Sequence, residues 1–311
     1  MSQYYPLQLK NETDTLKTVV LGTSEGFPQL IPSPEECYDP KSKESVLKNI
    51  YPTQEAVERE FDALMRVFKK YNVEVIRPNT IEECNQVFAR DVAFVIEDKF
   101  VCANILPQRE PEIFALQTEL INHINPKKII NLPEDSHIEG GDVLLYNDYI
   151  FVGTYRGNDY SQYITARTNY KAIRLLRDFF PTKKIMGFEI KKHNDDPYQN
   201  ILHLDCCFQP VGYKKALIYK EAFIHQEDID YIEHLFGKHN LFEITQAEMC
   251  QMTSNIFSIS ENVVVSDERF VRLNKQLRDW GITVEEVPFE EISKMGGLLR
   301  CVTMPLERIS K

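Results

Sequence analysis

The sequence predicts a mixed α/β fold arranged as a closed ring of five ββαβ units. Three observations lead there. An order of hairpin, helix and strand recurs along the chain, the last apolar strand completes the first unit, and a short polar motif stands at the edge of one hairpin after another.

The first complete unit starts with two apolar runs, Val92–Ile96 and Phe100–Ile105, joined by Glu97-Asp98-Lys99 as a hairpin. Pro111–Ile124 follows with apolar residues at helical spacing behind an initial proline, and Lys128–Asn131 reads as a strand. The same order returns as a hairpin at Asp142–Gly153 turning at Asn147-Asp148, a helix at Thr168–Phe180 and a strand at Lys184–Ile190. It returns again as Ile201–Tyr219, Gln226–Phe236 and Leu241–Ile244, and then as Asn255–Ser266, Phe270–Trp280 and Thr283–Val287. The remaining unit is divided between the ends: Cys301–Pro305 would pair with Thr18–Gly22, followed by helix Gln54–Tyr71 and strand Val73–Arg77. Units of about fifty residues indicate radial or stacked repetition, and pairing the last strand with the first removes exposed sheet edges. An open α/β sheet with only coarse periodicity is the alternative. No low-complexity linker interrupts the chain, so residues 1–311 read as one catalytic domain whose first and last strands share a blade.

Composition narrows the function classes. With 43% hydrophobic and 27% charged residues the chain has the make-up of an ordinary soluble protein. A net charge of −11 without a basic stripe argues against nucleic-acid binding and suits a small cationic substrate. The seven cysteines are irregularly spaced and form no CxxC pair, which argues against structural zinc or a thioredoxin-like motif. Neither a signal peptide nor a membrane-length apolar run is visible, so a reduced, cytoplasmic setting is expected, as a monomer or homo-oligomer.

Four segments hold unusual polar residues at hairpin edges: Phe88-Ala89-Arg90-Asp91, Ile138-Glu139-Gly140-Gly141-Asp142, Leu202-His203-Leu204-Asp205 and Gly296-Gly297-Leu298-Leu299-Arg300-Cys301. Each has an ordinary explanation. A cysteine in a strand is as a rule a small buried apolar residue, paired glycines supply turns, and Arg90-Asp91 could be a surface ion pair of little worth. A ring changes the balance, because equivalent edges of successive units converge on its axis. Thiol, imidazole and carboxylates would then surround one pocket, a constellation suited to nucleophilic catalysis. His203 and Asp205, two apart, would share one face of a strand. The acids and His203 lack the spacing of a metal site.

In this order the four segments resemble the guanidine-modifying superfamily: arginine deiminases, dimethylarginine dimethylaminohydrolases and arginine–glycine amidinotransferases. The resemblance runs from Asn85 to Arg308. It implies a closed five-bladed α/β propeller, the pentein fold, and chemistry without a metal or organic cofactor. It also implies that Cys301 is the nucleophile, His203 the acid/base, and Glu139 the carboxylate that orients it. Asp91 and Asp205 would grip the guanidinium, and Arg109 the substrate α-carboxylate. A second such arginine is Arg167 in Ala166-Arg167-Thr168-Asn169, with Arg156 as the alternative, because an extra stretch, Tyr155–Ile164, precedes the motif. That stretch would be a lid or specificity element.

The expected reaction is thiolate attack on the guanidinium carbon, loss of an amine protonated by His203, and breakdown of a covalent thiouronium. Water as second nucleophile gives hydrolysis of arginine or an N-substituted arginine, and an amine gives amidino transfer. His-Leu-Asp, Arg109 and Glu-Gly-Gly-Asp look more like the hydrolases, whereas Asp91–Ile96 and the extra loop are more similar to amidinotransferases. A non-catalytic binding module is the reading from another class, since the same propeller serves as a ribosome-associated translation factor. That factor lacks the catalytic set present here.

Overall fold

Every hairpin read in the sequence is present, and each is joined through a helix to a third strand parallel to its second. The computed structural model describes residues 4–157, 160 and 162–310, without the side chains of residues 117–119. Strand β1 (Thr15–Leu21) is followed by helices α1 (Pro40–Leu47) and α2 (Gln54–Lys70) and by β2 (Glu74–Ile76). The one-turn helix α3 (Ala89–Val92) leads into β3 (Ala93–Ile96), β4 (Lys99–Cys102), α4 (Glu110–Leu120) and β5 (Ile129–Asn131). Next come β6 (Val143–Tyr146), β7 (Tyr149–Thr154), α5 (Tyr170–Phe179) and β8 (Lys184–Glu189). They are followed by β9 (Phe208–Val211), β10 (Lys215–Ile218), α6 (Gln226–Phe236) and β11 (Leu241–Glu243). After α7 (Gln246–Cys250) come β12 (Phe257–Ser260), β13 (Val263–Asp267), α8 (Val271–Asp279) and β14 (Thr283–Val287), and then α9 (Glu290–Ser293) and β15 (Thr303–Ile309).

These strands form five three-stranded sheets, the blades of the propeller. In the first, β15 runs antiparallel to β1, with Leu21 opposite Thr303 and Val19 opposite Pro305, while β2 lies parallel on the other side of β1. The ring is thus closed by the two ends of the chain, as the pattern suggested. The predicted hairpin turns carry the backbone they need: Glu97 and Asn147 both adopt φ 53°, the left-handed conformation of tight turns. Helices start where side chains can cap them. The Thr53 hydroxyl accepts from Ala56 N, and the Asn169 side chain accepts from Ala172 N. Helix α2 buries Val57, Phe61, Leu64 and Phe68, a stripe at helical spacing. Between the third and fourth blades, Phe151 meets Phe208 edge-on at 5.6 Å.

Two expectations need correction. Cys301 does not lie in a strand; it sits in the turn before β15. His203 and Asp205 do not share a strand face either: His203 is the extended residue before a 3₁₀ turn, Leu204–Cys206, which contains Asp205. Asp91 lies in α3, and Glu139 precedes another 3₁₀ turn, Gly140–Asp142. The chain reverses between blades in one tight turn, so the polar motifs occupy that turn rather than the first pleat of the strand.

The segment before β1 straps the ring. Gln8 bridges Glu307, Leu9 bridges Glu97 and Asn11 bridges Tyr146, touching the first, second and third blades in succession. Among the described residues, no helix is long and apolar enough to cross a membrane.

Candidate active site

The turns before β3, β6, β9, β12 and β15 bring Asp91, Glu139, His203, Asn255 and Cys301 together, one from each blade. A cavity of about 610 Å³ opens above them, lined by Asp91, Arg109, Arg167, His203 and Cys301 among others.

His203 Nε2 lies 2.8 Å from Glu139 Oε2, which leaves Nδ1 pointing toward Asp91, 3.7 Å from Oδ1. Burial alone would lower the basicity of the imidazole. The charges of Asp91, Glu139 and Asp142 and the Glu139 hydrogen bond outweigh it and raise the ring to about 9. Glu139 is itself held well below the usual carboxylate range: burial opposes this, but Arg167, His203 and Arg109 prevail. The free site therefore holds an imidazolium beside a carboxylate at neutral pH. Gly141 packs against the ring so closely that a Cβ there would come within 2.6 Å of His203 Nδ1.

The two aspartates share one arrangement. Asp91 Oδ2 accepts from Arg109 Nη1 at 2.8 Å, while Oδ1 is buried without a hydrogen-bond partner. Asp205 Oδ2 accepts from Arg300 Nη1 at 2.8 Å, and its Oδ1 faces the Cys206 thiol at 3.6 Å. Each carboxylate is fixed through one oxygen by a buried arginine; Asp91, whose second oxygen has no partner among the described residues, also lines the cavity. An orphaned carboxylate oxygen is costly to bury, so Asp91 Oδ1 marks a place for a ligand N–H.

Cys301 Sγ lies 3.9 Å from Asp205 Oδ2 and accepts from Asn255 Nδ2 at 3.3 Å. Asn255 Oδ1 in turn accepts from the backbone N–H groups of Arg300 and Cys301 at 2.9 and 3.2 Å, which pins the turn that carries Cys301. Burial and the charges of Asp205 and Asp91 push the thiol well above its ordinary range.

The arginines expected to read a substrate carboxylate already have partners. Arg109 Nε and Nη2 donate to both oxygens of Glu112 at 2.9 and 2.8 Å, and Nη1 to Asp91. Burial, with the charges of Asp91 and Glu139, raises the Glu112 carboxyl above its usual range despite the two hydrogen bonds from Arg109. Arg167 Nη1 donates to Glu139, Nη2 to Tyr38 O and Nε to Ile164 O. Arg156 lies away from the cavity, with a 57% exposed side chain 3.5 Å from Glu189. Of the extra stretch before Arg167, residues 158, 159 and 161 lie outside the described residues; Tyr160 stacks on His137 at 4.9 Å.

Asp91, Glu139 and His203 present ligand atoms within 4.8 Å of one another, a donor set of the kind that holds metals. The positive charge such a set attracts is already supplied by Arg109 at 2.8 Å from Asp91 and Arg167 at 3.0 Å from Glu139.

Sequence reasoning missed four residues at this centre: Asn255, Arg300, Glu12 and Glu112. Asn255 carried a usable signal, since it opens the hairpin of its unit where the other blades place Asp91, Glu139 and His203. Arg300 and Glu12 carried none. They meet across the whole chain, with Glu12 accepting from Arg300 Nη2 at 3.1 Å and from Leu145 N at 3.2 Å. Arg300 and Arg90 outweigh burial and hold Glu12 down to about 2.

Comparison with known proteins shows the family and the fold. The family model described as N,N dimethylarginine dimethylhydrolase, eukaryotic, matches residues 34–308. The uncharacterized protein YkgA of Bacillus subtilis is 31% identical over 79% of this chain and 78% of its own. An arginine deiminase of Streptococcus gordonii is 28% identical over 59% of this chain, a match spanning 50% of the deiminase. The N-terminal domain of ArgZ, an arginine dihydrolase of cyanobacteria, superposes with a TM-score of 0.77 at 17% identity, covering 94% of this chain and 98% of that one. SxtG, an amidinotransferase from Microseira wollei, superposes with a TM-score of 0.75 at 17% identity, covering 99% and 98%. By its matched family model, the chain belongs to the N,N dimethylarginine dimethylhydrolase family of the guanidine-modifying superfamily.

Proposed function

We propose that the protein hydrolyses a C–N bond of a small guanidine, of the arginine or N-substituted arginine type, through a covalent adduct on Cys301. The observation that carries this reading is Asp91, with one arginine-fixed and one unpartnered oxygen, in a cavity shared with His203 and the Cys301 thiol, behind which buried Asp205 lies 3.9 Å from Sγ. A guanidinium N–H would meet Asp91 Oδ1 on one side and Asp205 on the other, and its plane would be set before reaction.

Binding such a cation sets one positive charge against the Asp205 and Asp91 carboxylates that, together with burial, hold the thiol up, so the substrate itself favours the thiolate. The thiol proton passes to solvent, since His203 is already protonated; the thiolate adds to the central carbon, a C–N bond breaks, and His203 supplies the proton that leaves with the amine. Water then adds to the thiouronium carbon and gives its proton to the now neutral His203. The C–S bond breaks, and a urea-type product leaves the thiol restored. Glu139 keeps His203 oriented through both steps.

Amidino transfer is the second reading, supported by a cavity of about 610 Å³, which has room for an acceptor amine beside the guanidine. Mass-spectrometric product analysis on arginine, methylarginines and 4-aminobutylguanidine, with and without glycine or ornithine, separates the two. Cys301→Ser is expected to lose turnover by roughly a thousandfold or more. Full activity in that variant overturns the proposal.

A further inference from the structure

Lys192 is a buried lysine outside the catalytic cavity, and its partners are the backbone that carries His203. Its Nζ donates to Ile201 O at 2.9 Å and to Leu202 O at 2.7 Å, the two carbonyls immediately before His203. Immediately after His203, Leu204 N donates to Asp142 Oδ1 at 2.9 Å. The segment that bears Lys192 is itself tied down: Ile201 N donates to Lys191 O at 3.0 Å, and His193 N to Asn200 Oδ1 at 3.1 Å. An ammonium and a carboxylate thus grip the chain on the two sides of the histidine. Burying an ammonium to satisfy two carbonyls is expensive, because it is stripped of water. Burial does lower the basicity of Lys192, and the Asp142 charge is the largest influence opposing that. The stretch being held has no strand or α-helix of its own to fix it, since His203 only precedes the 3₁₀ turn Leu204–Cys206.

We infer that Lys192 is a positioning residue for His203: by holding Ile201 O and Leu202 O it keeps the imidazole in place beside Glu139, and it serves proton transfer rather than guanidine binding. The inference rests on His203 protonating the amine that departs in a Cys301 reaction. Asp91, Arg109 and Cys301 come from other turns of the ring, so the grip on the guanidine is independent of Lys192. Proton transfer is sensitive to misplacement of the ring by an ångström, whereas binding of the planar cation is not.

The test uses two variants, Lys192→Met and Lys192→Gln, neither of which can reach both carbonyls with a donor. Labelling of Cys301 by 2-chloroacetamidine reports whether each has a folded site. Two substrates are compared in single turnovers: arginine or Nω-methylarginine, whichever the wild type uses, and the isothiourea analogue in which methanethiol replaces the departing amine. Methanethiol can leave as its anion, whereas the amine has to be protonated first. In a labelled variant, amine release is expected to slow about a hundredfold, methanethiol release less than about tenfold, and KM to stay within about threefold. Equal losses on the two substrates, or no loss, in a labelled variant overturn the inference. So does failure of both variants to be labelled, which would make Lys192 a folding residue only. All these outcomes leave Cys301 as the nucleophile; a wild type that is neither labelled nor active on either substrate overturns that reading as well.

Discussion

His203 is charged in the free site because Asp91, Glu139 and Asp142 outweigh its burial. Its folded pKa of about 9 lies above the unfolded value of 6.5, so its contribution to stability is complete below pH 6.5 and disappears as pH rises through 9. That contribution is about 3 kcal/mol at roughly 1.4 kcal/mol per unit. Melting temperature is expected to fall between pH 6.5 and 10 in the wild type, and to fall less in His203→Gln. Asn255 acts on the thiol from the other side. Asn255→Asp keeps the acceptor for the two backbone N–H groups but replaces the donor to Sγ with a negative charge. Losing a hydrogen bond to a charged group costs about 1.5–3 kcal/mol, so Cys301 labelling should slow by about ten- to a hundredfold, with its pH midpoint moved upward. Cys301, His203, Glu139 and Asp91 were legible as residues because their chemistry stands out at hairpin edges. Arg300 was not, because an arginine beside a cysteine carries no mark of the Asp205 and Glu12 partners that folding supplies.

At the level of elements, the site is made of turns rather than strands. The hairpins and helices were legible from periodicity, and α6 (Gln226–Phe236) and β14 (Thr283–Val287) begin and end where the pattern placed them. The inter-blade turns were not, since α3 and the two 3₁₀ turns are too short to carry any period. Gly141 shows how tightly they are built. In Gly141→Ala the new Cβ would stand 2.6 Å from His203 Nδ1, and the ring must shift away from its place between Glu139 and Asp91. Misplacement on that scale is expected to lower kcat about a hundredfold, and steady-state kinetics on any accepted guanidine would measure it. Retained activity would show that the turn can yield.

Across the whole molecule, the strap formed by Gln8, Leu9 and Asn11 delivers Glu12 to the axis, where it meets Arg300. Arg300 also fixes Asp205, so a residue near one end of the chain holds a residue of the site through a third near the other end. Glu12→Ala leaves a buried guanidinium short of charge and is expected to cost about 3–5 kcal/mol, read as a lower urea midpoint. The ring itself was legible because the end strands carry complementary apolar runs. Its central ion pairs were not, since they join residues with no shared local pattern. The pairing of β1 with β15 has a consequence for the chain as it is made. Until the last strand leaves the ribosome, β1 keeps an open hydrogen-bonding edge, and the thiol of Cys301, only two residues ahead of β15, has no cavity to enter. Cys301 therefore enters its cavity only in the event that pairs β15 with β1 and closes the ring.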